Sequence, residues 1–128
     1  MEEHPPGNLE KLYLQDSENT PAVTLDPSSG KFEIAGRSLP DNAPGFYKPV
    51  IAWLERYVRN PNPTTELVLR LEYINTGSSK MLLDIFFTLH RAPGAHVSWY
   101  FLEDDEDMEE TGEEFAELAG LPFELKAY

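Results

Sequence analysis

The sequence contains no cysteine, no long apolar run and few basic residues. Without cysteine it has neither a disulfide framework nor thiolate chemistry, which fits a reducing cytoplasm. No segment reaches the roughly 18 apolar residues of a membrane span, and the start, MEEHPPGNLE, lacks the basic and apolar regions of a signal peptide. With 10 basic against 23 acidic residues, the net charge of −13 would repel nucleic acid and anionic lipid. We therefore expect a cytoplasmic protein with no membrane insertion and no nucleic-acid partner.

Short stretches rich in proline, glycine and asparagine divide the 128 residues into elements. Residues 1–8 include Pro5-Pro6-Gly7 and are expected to form a flexible tail, whereas residues 9–128 are expected to fold as a single domain. Alternation of apolar and polar residues predicts a weak edge strand near Leu12 and a β-hairpin over residues 22–35. An apolar stripe at helical spacing over residues 46–58 predicts a helix that begins near Tyr47 or Lys48, since Pro49 suits only a first turn.

The second half of the chain repeats the change from strand to helix. Its periodicities predict, in order, a strand at 67–73, a helix at 81–89 and a strand at 96–101. An acidic helix that begins within the acidic run 103–117 and ends at Gly120 follows, and then a short last strand at 122–125. The sequence thus predicts an α/β fold, a single domain in β-β-α-β-α-β-α-β order. We expect a mixed β-sheet of about five or six strands, in which the strand–helix–strand connections are right-handed and join parallel neighbours. Three helices should lie mainly on one face of the sheet, because the strands carry charged residues on their other face.

One stretch, Leu67 to Arg91, concentrates the features that point to a function. Leu67, Leu69, Leu71 and Tyr73 alternate with polar residues and predict a strand with one buried face. The polar segment Asn75–Lys80 follows and is predicted to be a turn that leads into a helix. Backbone N–H groups at such a helix start can bind a capping hydroxyl or an anion. Lys80, expected in the first helical turn, is unfavourable there unless an anionic group lies a few residues earlier.

Catalytic and metal-binding patterns are not found in the sequence. Its three histidines, His4, His90 and His96, lack the context of a catalytic triad, and His90 suits the C-terminus of a helix. The acidic run from Glu103 fails the EF-hand spacing because position six counted from Asp104 is Glu109 rather than glycine. The segment Asn75–Lys80 does not match a phosphate-binding glycine loop. We expect no enzymatic activity, no cofactor and no metal site.

Three segments resemble the SiaC family of bacterial biofilm-regulation phosphoproteins: FEIAGRSLPDNAPGFYKPVIAWLERY, LEYINTGSSKMLLDIF and VSWYFLEDDEDMEETGEEFAELAGLPFEL. The resemblance covers nearly all of residues 32–125, and its most specific part is the Asn-Thr-x-Ser-x-Lys element. It implies a partner switch whose unmodified form binds and activates a diguanylate cyclase, which makes cyclic-di-GMP. A Ser/Thr protein kinase phosphorylates the threonine and turns binding off, and a PP2C-type phosphatase restores it.

By this resemblance Thr76 is the phosphate acceptor, with Ser78 and Ser79 left open as alternative acceptors. Gly77 stands where relatives often have serine, which would remove a competing hydroxyl and loosen the turn. We expect Asn75, Gly77 and Ser78 to shape the turn and Lys80 to neutralise the phosphate. Tyr73 and Met81 are either part of the contact surface or ordinary core residues, and the acidic segment 103–117 is either a docking face or a solvated one.

A second interpretation rests on topology alone. A strand followed by a polar turn with an acceptor and then a helix is also similar to STAS domains, the anti-sigma-factor antagonists. Such a protein would bind a nucleotide-loaded kinase that acts as an anti-sigma factor, and no cyclase. The two functions therefore differ in the partner they predict.

Overall fold

The computed structural model describes residues 9–128, and these form six strands and three helices. In chain order they are β1 (Leu12–Leu14), β2 (Ala22–Asp26), β3 (Lys31–Ser38), α1 (Ala43–Tyr57), β4 (Thr65–Ile74), α2 (Thr76–Leu89), β5 (Ala95–Phe101), α3 (Glu106–Ala119) and β6 (Phe123–Ala127). The predicted α/β class, three helices and five or six strands are confirmed, and the weak edge strand is β1. The predicted tail, with His4, lies outside the described residues. Within residues 9–128 no helix is long and apolar enough to cross a membrane.

The strands form one mixed sheet in the order β1-β2-β3-β4-β5-β6. The first three strands are antiparallel, and β3 to β6 are parallel. Each parallel step contains one helix and moves in the same direction across the sheet, so right-handed connections place the three helices on one face. The C-terminal ends of β3, β4 and β5 therefore lie along one edge of the sheet, beside the first turns of α1, α2 and α3.

The hydrophobic core lies between the sheet and the helices. Large buried aromatic rings fill it: Phe32 packs against Trp53 on α1, and Phe86 on α2 contacts Phe115 on α3. Trp99, on β5, is also buried against Phe115. Strand residues on the helix side are therefore apolar at every second position, as the period of two predicted.

The other face of the sheet carries charged and aromatic side chains. On β4, Arg70 donates from Nε to Glu33 Oε2 over 3.0 Å, and its guanidinium carbon lies 3.9 Å from the centre of the Tyr100 ring. All three residues are half-buried. Ion pairs and cation–π contacts between such partly exposed groups hold this face together and contribute about 0.5–1 kcal/mol each.

A β-bulge near the end of β4 changes the direction of Tyr73. Gly36 on β3 pairs with Leu71, but the next residue, Arg37, pairs with Tyr73, so Glu72 is an extra residue on β4. An extra residue reverses the alternation of faces. The prediction that Tyr73 shares the buried face of Leu71 was wrong for this reason. Tyr73 is 55% exposed, and the Arg37 guanidinium lies 5.6 Å from the centre of its ring.

Helix α1 begins earlier than the sequence indicated. Asn42 is its N-cap and accepts a hydrogen bond from the Gly45 N–H (3.1 Å), so Pro49 lies inside the helix rather than in its first turn. Proline in a helix removes one backbone hydrogen bond and usually breaks the helix. Here the cap at Asn42 and the burial of Ala43 and Tyr47 stabilise the turns before Pro49.

Helix α2 also begins earlier, at Thr76. The segment Asn75–Lys80, predicted to be a turn before the helix, is the N-cap followed by the first helical residues. The strand therefore leads almost directly into the helix, and Lys80 lies in its second turn. This difference matters because Thr76 becomes the first residue of a helix instead of a loop residue.

Helix α3 is the predicted acidic helix and ends at Gly120, which has the left-handed φ of 72° expected of a C-cap. It lies against Trp99, whose Nε1 donates to the Met108 carbonyl over 3.0 Å. Gly112 makes this contact possible, since a Cβ there would lie 2.5 Å from Trp99 Cδ1. The narrow apolar stripe of α3 is thus sufficient to dock it against β5.

Candidate functional site

The candidate phosphate acceptor, Thr76, lies where β4 ends and α2 begins. It is the first helical residue and its side chain is exposed. The preceding residue, Asn75, caps the helix by accepting a hydrogen bond from the Ser78 N–H (2.9 Å). Asparagine is favoured at this position because its side-chain oxygen satisfies a backbone N–H that has no partner within the helix.

Asn75 also ties the start of α2 to the loop that follows β3. Its Nδ2 donates to the Pro40 carbonyl over 3.0 Å, and its backbone N–H donates to the Ser38 carbonyl over 3.0 Å. Three hydrogen bonds therefore hold Asn75 between the start of α2 and the end of β3 with its following loop. The position of Thr76 is fixed by its neighbour, and none of these bonds uses the Thr76 hydroxyl.

A buried cluster of hydroxyl groups lies beneath the start of α2. Ser38 donates from Oγ to Ser78 Oγ over 2.7 Å, and Ser78 Oγ donates to the Ser38 carbonyl over 3.1 Å. The Tyr47 hydroxyl lies 2.6 Å from Ser38 Oγ and donates to it, because the single proton of Ser38 is directed at Ser78. Burial raises the pKa of Tyr47 to about 12, and this outweighs a smaller lowering by Ser38, whose hydroxyl would donate to the ionised Tyr47. The cluster is neutral and links β3, α1 and α2.

The three candidate acceptors differ in accessibility. Ser78 is fully buried and both accepts and donates a hydrogen bond. Ser79 is half-buried, and Thr76 is exposed. Because a kinase must reach the hydroxyl, this order of exposure favours Thr76 over Ser79, and Ser79 over Ser78.

Gly77 has a packing role that the sequence did not indicate. A Cβ at Gly77 would lie 3.1 Å from the Cβ of Ala43, the first residue of α1. Gly77 is helical, so it does not loosen a turn as the sequence suggested. Its small size lets the N-termini of α1 and α2 approach each other closely. The positive ends of two helix dipoles therefore lie near Thr76.

Lys80 and Met81 occupy different environments on α2. Lys80 is exposed, lies four residues after Thr76 on the same side of the helix, and forms no ion pair with residues 9–128. Met81 is half-buried and packs against the core. Among the residues named from the sequence, those from Asn75 to Lys80 lie together at the start of α2. Tyr73 is exposed beside Arg37 and also lines a cavity with Ser79.

Sequence reasoning missed Ser38 and Tyr47. Both lie about 30 to 40 positions before Ser78 in the chain, so no local pattern connects them with it. One signal was available: Ser38 continues the inward-facing series of Phe32 and Ile34 on β3, and a hydroxyl at a core position needs a buried partner.

Catalytic and metal-binding arrangements are not found in the part of the chain that the structure describes. His90 is the C-cap of α2, and His96 lies on β5. No group of three or more His, Asp or Glu side chains within residues 9–128 is placed to hold a metal ion. The acids of segment 103–117 are distributed along α3 instead of converging on one point.

Comparison with known proteins identifies relatives over nearly the whole chain. The family model described as SiaC family regulatory phosphoprotein matches residues 14–128. An uncharacterized protein of Pseudomonas aeruginosa is 34% identical over 124 residues, covering 94% of this chain and 98% of that protein.

Two solved structures share the fold. Apo-SiaC from Pseudomonas aeruginosa is 31% identical, with a TM-score of 0.83, and the match covers 93% of this chain and 100% of that one. The second is a crystal structure of the diguanylate cyclase SiaD in complex with its activator SiaC from the same organism. There the matched chain is 31% identical with a TM-score of 0.83, over 91% of this chain and 99% of that one.

Proposed function

We infer that this chain, which belongs to the SiaC family of regulatory phosphoproteins, is a partner switch controlled by phosphorylation of Thr76. The unmodified form binds and activates a diguanylate cyclase and so raises cyclic-di-GMP in biofilm regulation. This partner is supported by the solved complex of SiaD with its activator SiaC, whose matched chain shares 31% identity with this chain.

The proposal also includes the two enzymes that modify Thr76 and the role of the domain. A Ser/Thr protein kinase transfers phosphate to Thr76, and a PP2C-type phosphatase removes it. Residues 9–128 form the regulatory domain, which works in the cytoplasm and has no catalytic activity of its own. The chain would thus act only through the proteins that it binds.

The observation that carries the proposal is the position of Thr76. Its side chain is exposed at the first residue of α2, while hydrogen bonds of Asn75 and Ser78 hold the helix start in place. A phosphate can therefore be added without breaking the anchor. The positive ends of α1 and α2, with Lys80 on the next turn, favour an anion at this point.

The charge that this phosphate adds is large enough to prevent binding of the partner. It adds about −1.5 to −2 charges and three strongly hydrated oxygens. Covering such a group with a partner removes its water at a cost of several kcal/mol. A loss of about 3–4 kcal/mol lowers an association constant by a factor of roughly 100 to 1,000. A partner that packs over Thr76 would therefore dissociate.

The test is mass spectrometry on protein purified from its native host, together with capture of the cyclase. We expect a fraction heavier by one phosphate, mapped to Thr76, which is lost in Thr76→Ala and kept in Ser79→Ala. Thr76→Ala should also capture a diguanylate cyclase constitutively.

Phosphate that maps to Ser79 would contradict the assignment of Thr76. Capture of a nucleotide-loaded kinase without any cyclase would favour the anti-sigma-factor antagonist instead.

A further inference from the structure

A groove between α2 and α3 begins beside the candidate phosphate acceptor. Two connected cavities form it, of about 260 Å³ and 410 Å³, and both are lined by Ser79 and Thr111. We call this feature the α2–α3 groove. Its first part is bordered by Glu72, Asp105 and Asp107, and its second part by Leu83, Phe115 and Leu118.

The α2 side of the groove shares one row of residues with Thr76. Thr76, Lys80, Leu83 and Phe87 are spaced four, three and four residues apart, so they lie along the same side of the helix. Phe87 is 49% exposed although it is a large apolar side chain. A partner lying along this row would also cover Thr76.

The α3 side of the groove carries an apolar residue that is exposed to solvent. Leu118 is 61% exposed, the largest exposed fraction among the large apolar side chains of residues 9–128. Beside it, Glu110, Glu114 and Glu117 follow one another at helical spacing and are exposed. None of the α3 carboxylates forms an ion pair with the part of the chain that the structure describes. The groove thus combines apolar side chains with a row of unpaired carboxylates.

We propose that the α2–α3 groove is the docking surface for the diguanylate cyclase, and that it receives a segment with apolar side chains flanked by Lys and Arg. The proposal rests on the proposed function, which supplies the partner. Charge complementarity selects the segment, because the rim of the groove is acidic. A second copy of this chain is a poor occupant, since two chains that each carry a net charge of −13 repel one another.

The experiment measures affinity for the diguanylate cyclase captured by the wild-type chain, with the full-length proteins. Leu118→Arg removes an apolar contact and places a positive charge against a basic segment. We expect it to weaken binding at least tenfold. The matched control is Tyr13→Arg, because Tyr13 is 58% exposed on β1, at the opposite edge of the sheet. The control should bind within twofold of the wild type.

A second pair of variants tests the charge. Glu114→Lys with Glu117→Lys should weaken binding at least tenfold and reduce its dependence on salt. Asp16→Lys with Glu18→Lys makes the same change in net charge in the loop between β1 and β2, and should have little effect. Circular dichroism and thermal melting check that all variants are folded, which is expected because every substituted side chain is exposed.

The outcomes separate the two proposals. If the wild type captures a cyclase and the groove variants bind it as tightly as their controls, the docking surface is elsewhere and the proposed function stands. If the wild type captures no cyclase under any condition, the proposed function is wrong, and so is the proposal that a cyclase docks in the α2–α3 groove.

Discussion

Asn75 is the residue on which the geometry of the candidate acceptor depends most directly. It caps α2 through its side-chain oxygen and reaches Pro40 through its side-chain nitrogen. We expect Asn75→Ala to lower the free energy of unfolding by about 1–2 kcal/mol, which is the usual cost of a lost N-cap. Urea denaturation measures this directly.

Asn75→Asp is the matched control for that variant. A carboxylate keeps the acceptor for the Ser78 N–H and suits the positive end of the helix, but it cannot donate to Pro40. It should therefore lose less stability than Asn75→Ala. Equal losses in the two variants would show that the bond to Pro40, and not the cap, provides the stabilisation.

Tyr47 makes the stability of the chain sensitive to alkaline pH. Burial raises its pKa to about 12 in the folded state, whereas an unfolded tyrosine titrates near 10. Between these values the unfolded chain releases a proton that the folded chain retains, so the free energy of unfolding falls as pH rises. The loss attributable to Tyr47 should reach about 2–3 kcal/mol near pH 12 and be absent below about pH 9.

The measurement is urea denaturation of the wild type and of Tyr47→Phe between neutral and alkaline pH. Tyr47→Phe loses the hydrogen bond to Ser38 at every pH, but it lacks the ionisable hydroxyl. The advantage of the wild type over Tyr47→Phe, about 0.5–1.5 kcal/mol for one hydrogen bond, should therefore shrink and then reverse as pH rises from about 10 to 12. A difference that stays constant over this range would mean that the Tyr47 hydroxyl does not titrate with the assigned shift.

Residue patterns predicted the elements well where one periodicity governed a whole segment. The hairpin, β5 and the acidic helix ending at Gly120 are confirmed. The errors fall where a single local feature overrides the periodicity. Tyr73 was placed on the wrong face because a bulge is not visible in an alternating pattern, and the bulge depends on pairing with Gly36 and Arg37 on another strand.

Helix starts were the least predictable element boundaries. Pro49 suggested a late start for α1, but the stabilising cap at Asn42 lies seven residues earlier. The polar residues after Asn75 suggested a turn, although they are helical because Asn75 caps them and Ser78 is buried against Ser38. For α1, tertiary packing offsets the cost of a proline inside the helix. For α2, the deciding contact joins residues that are distant in the sequence. Local helix propensity includes neither effect.

At the scale of elements, the docking of α3 depends on one glycine. A Cβ at position 112 would lie 2.5 Å from Trp99 Cδ1, closer than carbon atoms can approach. We expect Gly112→Ala to lower the free energy of unfolding by about 1–3 kcal/mol, because overpacking displaces the ring despite the better helix propensity of alanine. Urea denaturation followed by tryptophan fluorescence reports both the stability and the environment of Trp99.

The control for this variant is Glu113→Ala, one residue further along α3. Glu113 is exposed, so the substitution should change stability by less than about 0.5 kcal/mol. A Gly112→Ala variant as stable as the control, with unchanged fluorescence, would show that α3 shifts without cost. Since the α2–α3 groove is formed partly by α3, the same variant should also weaken binding of the cyclase.

At the scale of the whole molecule, the net charge of −13 raises the question whether the proposed phosphorylation of Thr76 weakens or strengthens binding of the partner. A phosphate adds negative charge to a surface that is already acidic, and a basic partner would be attracted by it. Exposed charge pairs contribute about 1 kcal/mol or less, however, whereas removing water from a doubly charged phosphate costs several kcal/mol. The cost of desolvation is the larger effect, so phosphorylation should still release a basic partner that covers Thr76.

If the cost of desolvation operates the proposed switch, salt should affect the unmodified and the phosphorylated chain differently. The association rate of the unmodified chain with the cyclase should fall several-fold as salt rises from about 0.05 to 0.5 M, because long-range attraction is screened. The phosphorylated chain should bind weakly at every salt concentration, since screening does not reduce the cost of desolvation. Thr76→Val, which has nearly the same shape as threonine and accepts no phosphate, should follow the unmodified chain after kinase treatment. A phosphorylated chain that regains affinity at high salt would instead show that repulsion between like charges operates the switch, and that the partner presents acidic side chains to Thr76.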